Sequence, residues 1–115
     1  MSKLYELFSN PSVESFGKAL RIAVGLNDDY SSLVELDYVE KEEEFVLVLK
    51  KFLRRLDANS RRYERKHPDK YSFKPNEKDL DEIMKLAQDY GVRLVCAAMM
   101  SHALVRSEKG VQKNE

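Results

Sequence analysis

The sequence predicts an all-α fold: a small helical bundle with a long charged helix and a C-terminal helical hairpin around a buried last helix. Three observations predict it. Residues 92–106, VRLVCAAMMSHALVR, are apolar or small nearly all the way round a helix, the pattern of a segment buried on most faces. Val92, Val95, Met99, Ala103 and Arg106 share one side, and Leu94, Ala97, Ala98, Met100 and Leu104 occupy the others. Residues 39–66 carry Phe45, Leu49, Phe52, Leu56, Asn59 and Tyr63 at steps of four and three, the seam of an amphipathic helix. Finally, Asn76 and Gly91 bracket a third periodic run with a helix cap and a helix stop.

Taken in order, residues 2–8 read as a short helix with Leu4, Leu7 and Phe8 on one side. Asn10-Pro11 supplies a cap and a first-turn proline. From 11 to 24, Val13, Phe16, Leu20, Ala23 and Val24 keep helical spacing, and Gly25 reads as the stop. Gly17, mid-helix, costs about 1 kcal/mol relative to alanine, which a close packing contact would justify. Asn27 or Asp28 caps a short segment over 29–36 whose type the pattern leaves open.

The longest helix spans 39–66, with Val46, Val48 and Leu53 widening its seam. The run 45–49 has strand propensity, but its flanks keep helical spacing. His67-Pro68 ends it, because proline disfavours helical geometry in the residue before it. A loop over 69–75 presents Tyr71 and Phe73 as anchors. Asn76 opens the next helix, with Glu77 and Asp79 at the positive end of its dipole. Leu80, Ile83, Met84 and Ala87 form its inner face, and Gly91 leads straight into the central helix.

The chain of 115 residues is long enough for one core, read as a single domain over 1–106 with a fraying tail over 107–115. Its net charge is zero, so attraction to nucleic acid or to a membrane has to come from where charges sit. At about 22 Å the central helix is too short for a bilayer, and Ser101 and His102 sit in it. Cys96 is the single cysteine, which excludes an internal disulfide and points to a reducing compartment. The opening MSKLYELFSNP lacks the apolar core of a signal peptide. The expectation is a soluble cytoplasmic protein.

Charge in the long helix is split. Glu35, Asp37, Glu40, Glu42, Glu43 and Glu44 crowd its beginning, and Lys50, Lys51, Arg54, Arg55, Arg61, Arg62, Arg65 and Lys66 its second half. That order suits the helix dipole, and a merely solvated face is the plain alternative. Lys51, Arg54, Arg55, Ala58, Arg61, Arg62 and Arg65 recur at three and four, a stripe opposite the seam, and five of the seven are arginine. Arginine forks suit phosphate, so Lys51, Arg54, Arg55, Arg61, Arg62 and Arg65 are the candidate nucleic-acid-binding residues. Tyr63, Tyr71 and Phe73 offer stacking faces nearby, or serve simply as core and loop anchors. The same stripe could instead meet the acidic 40–44 patch of another copy.

Enzyme chemistry finds little support. His67 lies in basic surroundings; His102 reads as a hydrogen-bonded core histidine; Cys96 and His102, six apart, diverge on a helix. The sequence offers no Cys-x-x-Cys pair, histidine cluster, glycine-rich phosphate loop or Gly-x-Ser-x-Gly elbow. No cofactor, metal or small-molecule substrate is expected. A helix-turn-helix reading of 76–106 fails because its second helix begins Val92, Arg93, Leu94, Val95, with only Arg93 suited to base edges.

Residues 19–21 (ALR), 25–30 (GLNDDY), 81–84 (DEIM), 89–95 (DYGVRLV) and 103–105 (ALV) together resemble the small subunit of archaeal type I-A CRISPR effector (Cascade) complexes. The likeness covers about half the chain, and its motifs are structural. It implies a helical, non-enzymatic subunit, present in several copies, that supports the backbone subunits and helps hold target or displaced DNA. It carries over no active site. The expected partners are other effector subunits, further copies of the chain, and nucleic-acid backbone (single-stranded DNA or a guide RNA duplex), bound weakly alone. The alternative is a helical protein–protein interaction module or homo-oligomeric adaptor with no nucleic-acid role.

Overall fold

A computed structural model describes residues 2–27, 30–58 and 75–113, with residues 26, 27 and 105–113 given by backbone alone. Among the described residues there are six helices and no strand: α1 (Lys3–Phe8), α2 (Pro11–Asn27), α3 (Tyr30–Tyr38), α4 (Glu42–Ala58), α5 (Glu77–Tyr90) and α6 (Val92–Lys113). The all-α bundle is therefore as the sequence predicts.

Three of the helix starts have a clear local cause. Ser2 caps α1 by accepting from the Tyr5 amide. Asn10 Oδ1 accepts from the Ser12 and Val13 amides at 2.9 and 3.2 Å, so Pro11 stands in the first turn, where no amide is needed. Asn76 and Asp79 form a reciprocal capping box on α5. Ser12 Oγ donates to the other oxygen of Asp79 at 3.0 Å, fastening the starts of α2 and α5 together.

α6 is the centre. It packs against α1, α2, α3 and α5, and Val95, Cys96, Ala98 and Met99 are completely enclosed. Phe16 and Leu20 of α2, Ile83 of α5, and Phe45, Leu49 and Phe52 of α4 complete the core. Gly91, at φ +95°, ends α5 by donating its amide to Ala87 O, and its own carbonyl accepts from the Val95 amide. That backbone conformation belongs to glycine and makes the α5–α6 turn possible.

Three boundaries differ from the sequence reading, and one open assignment is resolved. Gly25 does not stop α2, which runs on to Asn27, since a glycine with ordinary helical φ is a weak breaker rather than an obligatory stop. The segment of open type is a helix, α3. The long helix begins at Glu42 rather than at 39. The break at 39–41 buries Val39, which a continuous helix would have aimed elsewhere. The last helix continues past 106 to Lys113. The expected helix over 59–66, the His67-Pro68 stop and the anchors Tyr63, Tyr71 and Phe73 lie outside the described residues, as does Asp28.

Candidate nucleic-acid interface

α3 and α4 form an antiparallel hairpin, and one acidic residue, Glu35, sits between them. Lys51 Nζ meets Glu35 Oε2 at 3.0 Å, and Arg55 Nη2 lies 3.4 Å from Glu35 Oε1. Arg55 also donates to Ser32 Oγ, at 2.5 Å, and Ser32 is fully buried. Two members of the expected stripe are thus turned toward α3 and charge-compensated within the chain. Arg54 is exposed with Lys50 one turn before it, and neither makes an ion pair or hydrogen bond among the described residues. Arg61, Arg62 and Arg65 lie outside the described residues.

Lys50 and Arg54 border a groove of about 610 Å³ between α4 and the start of α5. Leu53, Leu80 and Pro75 supply its apolar floor, and Asp57, Asn76 and Glu77 its remaining polar lining. Two cations thus face two carboxylates, and the groove is zwitterionic rather than uniformly basic. The sequence reading placed Lys50 among the basic residues but not in the stripe; its i, i+4 relation to Arg54 was the available signal. Glu35 was missed as their neighbours' partner because the type of its segment was open.

The other titratable candidates are structural. His102 Nε2 lies 2.7 Å from Phe8 O, and its ring stacks on that of Phe8 at 3.9 Å with 3° between planes. Gly17 lies against the base of the same side chain, where an added β-carbon would overlap the His102 Cβ. Cys96 is enclosed, and burial pushes its thiol up to about 12, outweighing the opposing pull of Arg93. Arg93, half-exposed, donates to the carbonyls of Leu36 and Val39 at 2.9 and 2.7 Å and so ties α6 to the end of α3. Among the described residues no cluster of three or more His, Cys, Asp or Glu side chains could hold a metal ion. Nor is any helix there long and apolar enough to cross a membrane.

Fold and surface together define a class: a small all-helical protein with a charge-split outer helix and a packed interior. Within that class, a protein of Archaeoglobus fulgidus described only as uncharacterized is 48% identical over 108 residues, covering 93% of this chain and 87% of that protein. The chain belongs to the family of that protein. No family model and no solved structure matches the chain.

Proposed function

We propose that the chain is a non-enzymatic small subunit of an archaeal type I-A CRISPR effector complex, contacting nucleic-acid backbone through the basic half of α4. The observation that carries the contact is the exposed pair Lys50 and Arg54 at the lip of the α4–α5 groove, neither of them held in an ion pair or hydrogen bond among the described residues. The sequence continues that basic character through Arg61, Arg62 and Arg65. Cations of this kind neutralise phosphates without reading bases, which suits a subunit whose complex draws its sequence specificity from a guide. The relative's archaeal source fits the archaeal range of the family that the motifs at 81–84 and 89–95 resemble. The expected location is the cytoplasm, and the expected partners are other effector subunits and further copies of the chain.

The test is binding to single-stranded DNA followed by fluorescence anisotropy across a salt series. Neutralising about four phosphates gives a log–log salt slope of about −3. Arg54→Ala, Arg61→Ala and Arg62→Ala together should flatten that slope and weaken binding at least tenfold; an unchanged affinity refutes the contact.

A second reading has one observation in its favour. Lys51 and Arg55 are already paired with Glu35, as on a protein-facing or merely solvated helix. A helical adaptor of that kind shows no nucleic-acid shift at any salt.

A further inference from the structure

We propose that the outer face of α4 pairs with the same face of a second copy of this chain, antiparallel, about a two-fold axis between Leu47 and Lys50. Glu43, Leu47, Lys50 and Arg54 are all exposed and follow one another at steps of four, three and four. They therefore form a single stripe along the side of the helix turned away from Phe45, Leu49 and Phe52. The stripe is acidic at one end, apolar in the middle and basic at the other.

Partnering separates this stripe from its flank. Lys51 and Arg55, one step round the helix, are both taken by Glu35. Glu43, Lys50 and Arg54 make no ion pair or hydrogen bond among the described residues. Leu47, with 61% of its surface exposed, lies between them. The hairpin register that sets Glu35 against Lys51 and Ser32 against Arg55 brings Tyr38, 77% exposed, to the level of Leu47.

Two-fold symmetry makes such a stripe complementary to itself. An antiparallel copy sets Glu43 against the Arg54 of the other molecule twice, once on each side of the axis. Leu47 then packs against the methylene stem of the opposing Lys50, and Tyr38 closes the edge. A parallel copy would set glutamate on glutamate and arginine on arginine, so charge alone selects the orientation. The stripe from Glu43 to Arg54 is about 17 Å long, one helix wide, and smaller than the ~800 Å² per partner of a stable complex. Association is therefore weak and salt-sensitive.

Arg54 serves both this pairing and the phosphate contact, so a paired molecule is closed to nucleic acid on this face. The pairing itself requires no nucleic acid, and its failure would leave the phosphate contact untouched.

Sedimentation equilibrium of the full chain alone, at low salt and at concentrations up to about 0.5 mM, tests it. The expected result is a concentration-dependent dimer. Glu43→Arg and Arg54→Glu should each raise the dissociation constant about tenfold, and the two together should restore it to within about threefold of the parent. Circular dichroism on each variant checks that the helices are intact. A chain that stays monomeric throughout, a double variant no better than either single one, or a dimer indifferent to Leu47→Lys overturns the proposal.

Discussion

Gly17 of α2 and His102 of α6 lie in direct contact: a β-carbon on Gly17 would overlap the His102 Cβ and reach within 2.7 Å of its Cγ. The histidine cannot retreat, because its ring is stacked on Phe8 and its Nε2 is bonded to the Phe8 carbonyl. Gly17→Ala should therefore destabilise the protein by about 2 kcal/mol, overpacking outweighing the helix propensity that alanine gains. Urea unfolding measures it. A stabilised Gly17→Ala protein would show that the α2–α6 contact is looser than described.

His102→Phe keeps the aromatic stack on Phe8 but removes the donor to its carbonyl. The expected loss is about 1 kcal/mol, the worth of one hydrogen bond, again read from the urea midpoint. An unchanged midpoint would show that the bond to the Phe8 carbonyl contributes nothing net.

Gly91→Ala forces an L side chain into φ +95° at the α5–α6 turn. No neighbouring atom lies within 4 Å of the added carbon, so the cost is backbone strain alone. About 1–2 kcal/mol is expected. Thermal unfolding of this variant beside Gly25→Ala separates the two glycines: Gly25 has open space and ordinary φ, and alanine there should stabilise.

How far the sequence showed these things depended on the element. The capping box at Asn76, the Asn10-Pro11 start and the enclosed helix after Gly91 were legible because each rests on neighbours within a few residues. Gly17 was legible as a close contact but not as a contact with His102, since its partner is 85 positions away. The split of the basic stripe was not legible at all. Helical spacing gives the direction of Lys51 and Arg55 to within a turn, but only the placement of α3 decides that Glu35 meets them. The break at 39–41 was hidden because residues 39–41 hold no glycine or proline to mark it, although Val39, six positions before Phe45, falls off the seam.

Glu35→Gln should release Lys51 and Arg55 from their shared carboxylate. Both pairs are partly solvated, so the stability loss is expected to stay within about 1 kcal/mol. If α4 contacts phosphate, single-strand affinity rises and the salt slope steepens by up to about one or two. A protein-facing helix gives the same small stability loss and no such gain.

Burial holds the Cys96 thiol at about 12, above its ordinary 9.0. The unfolded chain thus sheds this proton first as pH rises. The contribution is complete below pH 9, and stability declines between about 9 and 12 with a slope of up to about 1.4 kcal/mol per pH unit. Cys96→Ala should lack that component. The difference between the two stability–pH curves isolates it from every other group.

The most direct test of the central claim is amide chemical-shift mapping of the whole ¹⁵N-labelled chain during titration with an oligothymidylate. The nucleic-acid reading expects perturbations over residues 50–57 and the start of α5, fading as salt rises and absent in Arg54→Ala. Perturbations confined to other helices, or none at concentrations near a millimolar, would contradict it.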